Sequence, residues 1–215
     1  MLAANKTPVW LGVAAGVLVA ATALGAALAP YLAVHHPYWL LALNPWPRHQ
    51  ILVAPHTSLA PFIAVVALRG LYACWVAYQL GKHYGARGSA LLEGRAPSLG
   101  QAVRMTEQLF ERAAGLALLC LPGLLTSALA GKGGVSRRLA LGSSAVGLTT
   151  WAWINHQLGG WLEPWTAPVL RFFHAHMLSA TVVCALGVGL YQLMSYRKPR
   201  PSDDLVKPSD QDTAG

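Results

Sequence analysis

Two apolar stretches of this chain are broken in mid-length by proline, glycine and polar residues: Leu40 to Ser58 (LLALNPWPRHQILVAPHTS) and Ala113 to Gly134 (AAGLALLCLPGLLTSALAGKGG). An unbroken apolar run of helical length follows each of them. In a bilayer every backbone N–H and C=O must be satisfied within the protein, so irregular backbone at membrane depth survives only where it packs in protein or lines a cavity. Breaks at corresponding places in two halves predict an inverted repeat with a site between the halves.

Composition supports a membrane setting. The 215 residues are 54% hydrophobic and 11% charged, and no charged residue falls between Lys6 and Arg48. A span needs about 20 mainly apolar residues to cross roughly 30 Å of hydrocarbon. Leu11 to Ala33 and Phe172 to Tyr196 meet that length, Ile51 to Leu80 does so with Arg69 turned inward, and Leu139 to Asn155 is short but usable. For the N-terminus a signal peptide is the alternative, with Lys6 as its basic region and ALGAALA as a cleavage site. Its apolar run exceeds the length of an h-region and another apolar segment follows at once, which favours a retained helix.

Charge orients the spans, because Lys and Arg in short loops stay cytoplasmic. Lys82, Arg87, Arg95, Arg104 and Arg112 form one basic group, Lys132, Arg137 and Arg138 a second, and Arg197, Lys198 and Arg200 a third. All three are expected inside. Gly159 to Pro168, with Glu163 and no base, suits an outer loop. With each hairpin entering and leaving on one face, the first opens outward, the second inward, and both termini are cytoplasmic, as in a multi-pass protein of an inner (plasma) membrane. The net charge of +8 then points to anionic lipid headgroups as partners and not to nucleic acid, since the bases border spans.

Between the halves, Ser98 and Gln101 form a capping-box arrangement after Pro97. Leu99, Ala102, Val103, Thr106, Leu109, Phe110 and Ala113 then recur at helical spacing opposite Arg104, Glu107, Glu111 and Arg112, which predicts an amphipathic helix on the inner face. The segment 197–215 is rich in Pro, Ser and Asp and is expected to be a disordered cytoplasmic tail. The expected fold is an all-α integral membrane protein with one membrane domain over 1–196. It holds about four transmembrane helices, two re-entrant hairpins in an inverted repeat, and one amphipathic surface helix.

From about Leu40 to Leu190 the residues resemble the DedA or VTT (SNARE-associated Golgi) family of membrane proteins. Leu68 to Gly85 (LRGLYACWVAYQLGKHYG) is similar to the family's Tyr-x-x-Gly-Arg-x-x-Gly stretch, with Tyr78, Gly81, Lys82 and Gly85 in the matching places. Pro122 and Gly123 match the second hairpin's break, Ala130 and Gly131 the family's Ala-Gly, and Trp153 with Leu158 and Gly159 the following helix. The resemblance implies two facing hairpins and translocation of phospholipids or polyprenyl-phosphate carriers, with a role in envelope homeostasis. The chain also departs from the family. Where proton-coupled members carry an Asp four residues before the Tyr, this chain has Cys74, and the two Arg positions flanking the hairpin proline are Leu119 and Leu125. No acid precedes Glu93, so the carboxylates that would carry a proton are missing and a divergent member is implied.

Few polar residues remain as candidates for substrate binding: Arg48 and His56 in the first hairpin, Arg69 in the second span, Pro122, Gly123, Thr126 and Ser127 in the second hairpin, and His156 at the end of the third span. Arg48 with Arg69 suits a phosphate group bidentately. Snorkelling to the headgroups is the plain alternative, favoured for Arg48 but not for Arg69.

His35, His36, His49, His56, His156, His174 and His176 invite a haem or metal reading. His174 and His176 point about 200° apart on a helix and no other pair has ligand spacing, so interfacial anchoring explains most of them, with Trp39, Trp46, Trp161 and Trp165. Cys74, Cys120 and Cys184 sit in apolar segments without metal spacing and read as buried packing. No Gly-x-Ser-x-Gly, His-Glu-x-x-His or phosphatase-like set occurs, so no enzyme, cofactor or metal is expected. Two functions stand: lipid or lipid-carrier translocation, and a non-transporting membrane assembly or interaction protein of the same fold. The sequence leaves room for a homo-oligomer.

Overall fold

The computed structural model describes residues 9–95 and 114–197, with side chains over 9–85 and 114–194. The expected surface helix over 98–113 and the tail over 198–215 lie outside the described residues. Among those described, every element is helical: α1 (Val9–Ala27), α2 (Ala29–His35), α3 (Pro37–Leu43), α4 (Pro47–Val53) with a 3₁₀ turn (Ala54–His56), α5 (Leu59–Arg95), α6 (114–120), α7 (Leu124–Lys132), α8 (Arg137–Trp161), α9 (Glu163–Ala175) and α10 (Met177–Arg197).

Prolines divide the first third of the chain. Pro30, Pro37 and Pro47 sit in the first two positions of α2, α3 and α4. There the missing N–H costs nothing, because the first turn has no intrahelical partner for it, whereas the ring stops the preceding helix from continuing. This corrects the expected first span: it ends at Ala27 instead of residue 33. Likewise the second begins at Leu59, since 51–56 belong to α4 and the 3₁₀ turn. The expected outer loop over 159–168 is helical on both sides of Leu162, and the last span starts at Met177 because His176 separates α9 from α10.

Among the described residues, three helices are long and apolar enough to cross a membrane: Val9–Ala27, Leu59–Gly85 and Met177–Met194. The fourth expected span lies in α8, which has the length at 25 residues but not the apolarity. Ser143, Ser144, Thr149, Thr150, Asn155 and His156 interrupt its apolar sequence. Helix α1 buries only Leu11 and Gly25, and the span in α10 buries none of its residues, so both leave apolar surface uncovered on nearly every side. A helix apolar all round belongs in a large core or in lipid.

The buried core forms in two parts. One gathers Leu32, Leu40, Leu41, Val53, Phe62 and Val66 with Ala152 of α8, around the broken pair α3–α4. The other joins Tyr78 of α5, Leu118 of α6, Ala130 of α7 and Ala140 of α8, around the broken pair α6–α7. Helices α5 and α8 run through both parts. The α5–α7 crossing is close. A Cβ at Gly81 would fall on the backbone of Ala128, and one at Gly131 on the Tyr78 carbonyl. Small residues let two backbones approach to van der Waals contact, the main source of helix association where lipid supplies no hydrophobic drive. The Tyr78 hydroxyl fastens the same crossing by donating to the Val135 carbonyl at 2.7 Å.

Candidate functional site

Both helix breaks open onto one cavity of about 780 Å³. Asn44 to Arg48 of the α3–α4 break and Pro122 to Leu124 of the α6–α7 break form part of its wall. Helix α5 adds Arg69, Gly70, Ala73 and Cys74, while α1 and α10 close the outside with Leu18, Val19, Ala23, Ala26, Gly187 and Val188 among others. The volume lies in the range of sites that enclose a small organic ligand.

Polar groups gather at the first break. Arg69, half-buried on α5, donates from Nε to the Ala42 carbonyl at 3.0 Å and from Nη2 to Thr22 Oγ1 at 3.4 Å. Thr22 in turn donates to the Leu18 carbonyl at 2.8 Å. Asn44 donates from Nδ2 to the Thr22 carbonyl at 3.4 Å and lies 3.4 Å from His49 Nε2, while its Oδ1 is buried with no partner. Burial, with the adjacent Arg48 charge adding a smaller push, draws His49 down to about 4. The ring is therefore neutral at neutral pH, and Nε2 is free to accept from Asn44. Arg48 itself is exposed, its guanidinium stacked over Trp46 at 5.2 Å from the ring centroid.

The second break is held from within. Thr126 Oγ1 donates to the Leu121 carbonyl at 2.7 Å and lies 3.1 Å from the Gly123 carbonyl, so the hydroxyl satisfies the Leu121 carbonyl at the break. Helix α7 begins at Gly123 without a side-chain cap. The positive end of its dipole lies at the cavity wall.

Of the expected site residues, Arg48, Arg69, Pro122 and Gly123 line the cavity. The other four do not. Thr126 works behind the wall, and Ser127 is buried with an unpartnered hydroxyl. His56 is exposed at the end of the 3₁₀ turn. His156 lies edge-on to Phe62, with Nε2 donating to the Thr57 carbonyl at 3.1 Å, and so ties α8 to the start of α5. Asn155, one residue earlier, donates to Gln50 Oε1 at 2.9 Å, and Gln50 donates to the Pro45 carbonyl at 2.6 Å. These two histidine and asparagine contacts position the first break without facing the cavity.

Sequence reasoning missed Asn44 and Thr22. Asn44 carried a signal, as the first polar residue after an apolar run and the one before Pro45. Thr22 carried none, being a lone hydroxyl in an apolar helix.

Among the described residues no carboxylate lines the cavity, and no cluster of three or more His, Cys, Asp or Glu is placed to hold a metal. Two guanidinium groups, amide and hydroxyl dipoles and a helix N-terminus thus share this wall with a larger number of apolar residues. Comparison with family models, with curated proteins and with solved structures returns no match.

Proposed function

We propose that this chain is a divergent membrane protein of the DedA or VTT type that translocates an anionic lipid or lipid carrier, with its two broken helix pairs as re-entrant hairpins of an inverted repeat. Its setting in this reading is an inner (plasma) membrane with both termini cytoplasmic. One observation carries the proposal: both breaks open onto one cavity that is lined by Arg48 and Arg69 and by residues of the three helices apolar enough to cross a membrane. A phosphate fits the guanidinium groups through charge-assisted hydrogen bonds, and acyl or prenyl chains fit the apolar walls of α1 and α10.

Irregular backbone placed against a cavity is the arrangement that lets a polar headgroup cross the hydrocarbon. With no acid among the described wall residues, this mechanism does not invoke coupling through an embedded carboxylate. The test is translocation of fluorescent phospholipid and polyprenyl phosphate in vesicles holding the purified protein. A rate equal to that of empty vesicles for every lipid tested rejects transport.

The bonds of Arg69 to Ala42 and Thr22 favour a second reading, in which the guanidinium is structural and the protein is a membrane assembly partner without transport. Unaltered lipid affinity in a folded Arg69→Gln protein would support that reading over the first.

A further inference from the structure

We infer that α9 lies along the membrane surface and inserts Trp165, Val169 and Phe172 at the boundary between lipid headgroups and acyl chains, which anchors the first broken pair at that depth. The inference goes beyond the proposed function, because it holds for a lipid carrier and for an assembly protein alike.

Length excludes a crossing. Helix α9 (Glu163–Ala175) has 13 residues, so it is about 20 Å long and does not span roughly 30 Å of hydrocarbon. Breaks at Leu162 and His176 separate it from α8 and from the candidate span in α10, so it does not extend a crossing helix. Pro168 sits inside α9 and has no N–H to give to the Pro164 carbonyl. Water at an interface replaces that bond, whereas hydrocarbon offers no donor.

The residues of α9 divide among three faces. At 3.6 residues per turn, Trp165, Val169 and Phe172 fall within about 60° of one another, and Glu163, Arg171 and His174 within about 80° on nearly the opposite side. Thr166, Leu170 and Phe173 lie between the two groups and are half-buried. Helix α9 rests against α2, α4 and α8, with Leu170 packed on the core cluster around the first break. The apolar stripe has no such cover: Trp165 is 78% exposed, Phe172 56% and Val169 43%. One face docked on protein, one apolar and one charged is the arrangement of a helix in the plane of an interface, its apolar side about 5–10 Å into the headgroup boundary. Tryptophan suits that depth, since its ring is apolar and its N–H is not.

A second copy of the chain is the competing occupant. A stripe about 20 Å long and 10 Å wide offers about 200 Å², against about 800 Å² that each partner buries in a stable interface. Lipid needs no such minimum, and the apolar surface it would meet continues onto α10, whose span buries none of its residues.

The test places a nitroxide on single cysteines in the full-length protein lacking Cys74, Cys120 and Cys184, reconstituted in vesicles of phosphatidylcholine and phosphatidylglycerol. Trp165→Cys, Val169→Cys and Phe172→Cys sample the stripe, and Glu163→Cys, Arg171→Cys and His174→Cys the charged side. All six side chains are exposed, so the labels displace no packed residue. Relaxation by oxygen, which concentrates in hydrocarbon, is expected to exceed that by a water-soluble nickel complex on the stripe, and the order is expected to reverse on the charged side. The unaltered protein gives a second reading in the same vesicles, where hydroxyl-radical oxidation should modify His174 and spare Trp165 and Phe172. That reading decides the matter where a variant fails to fold. Nickel dominating at all six positions, with Trp165 oxidised, puts α9 in water and overturns the inference. Oxygen dominating at all six puts it in hydrocarbon, and a stripe that neither reagent reaches is covered by protein; either result overturns it too.

Discussion

Arg69, within the apolar first half of α5, donates from Nε to the carbonyl of Ala42, in the last turn of α3. The last carbonyls of a helix have no intrahelical partner, and a cation is favoured at that end of the dipole. The same side chain thus holds the first break in place and presents its remaining N–H groups at a cavity wall. Neutralising it should affect both roles. Arg69→Gln is expected to lower lipid-phosphate affinity about tenfold or more and to cost about 1–3 kcal/mol of stability by freeing a half-buried carbonyl. Arg69→Lys keeps the charge but lacks the planar fork that reaches Ala42 and Thr22 together, so it should recover part of the binding and less of the stability. Lipid titration and melting of the two variants in detergent separate the roles.

At the α5–α7 crossing there is no room for a methyl group. Gly131→Ala sets its Cβ on the Tyr78 carbonyl and Gly81→Ala sets one on Ala128, so each should force the helices apart at about 1–3 kcal/mol. Gly187→Ala on α10, where nothing lies within 4 Å, is the matched control and should leave melting unchanged. Equal melting of all three variants would contradict the close crossing.

The crossing also shows which parts of the structure were legible in the sequence. Pro37, Pro47 and Pro122 announce breaks because a proline ring removes an N–H and crowds the preceding turn, a local effect, although Pro168 is accommodated inside α9. A lone Arg69 in an apolar run announces an inward-facing charge for an equally local reason. What faces the cavity is a different kind of fact. Thr126 and His156 are polar residues in apolar surroundings, as Arg69 is, but their partners are backbone carbonyls five and 99 positions away. Only the tertiary arrangement tells a residue that braces a break from one that lines a cavity. Asn44 escaped notice because its partner Thr22 is 22 positions distant on another helix.

Acid should loosen the first break. His49 has a folded-state value of about 4, below the ordinary 6.5, so the unfolded chain takes up its proton first as pH falls. The stability this neutral ring contributes is complete above about 6.5, declines between 6.5 and 4, and is exhausted below that. Melting in detergent across this window should fall more steeply for the unaltered protein than for His49→Gln. Subtracting the two curves removes the contribution of every other titrating group.

Gln50 and Asn155 pair between the first break and α8, and both are buried. Side-chain hydrogen bonds between helices in membrane proteins are worth about 0.6 kcal/mol on average and up to about 1.7 kcal/mol. A double-mutant cycle with Gln50→Leu and Asn155→Leu should give a coupling energy within that range. Each single variant should destabilise more than the coupling alone, because it leaves the partner amide buried and unpaired. Additive effects would show that the two side chains do not bond.

The proposed facing arrangement of the two broken pairs makes the most direct prediction about topology. His56 closes the first broken pair and Arg138 follows the second, and both side chains are exposed. Entry of the two pairs from opposite faces puts these positions on opposite sides of the membrane, with Arg138 inside among Lys132 and Arg137, as basic loop residues are. In a background lacking Cys74, Cys120 and Cys184, of which Cys120 is exposed, single cysteines at the two positions report this directly. An impermeant thiol reagent added to intact cells should label His56→Cys and spare Arg138→Cys until the membrane is opened. Labelling of both from outside would place the pairs on one face, and the inverted repeat would be rejected with the transport mechanism built on it.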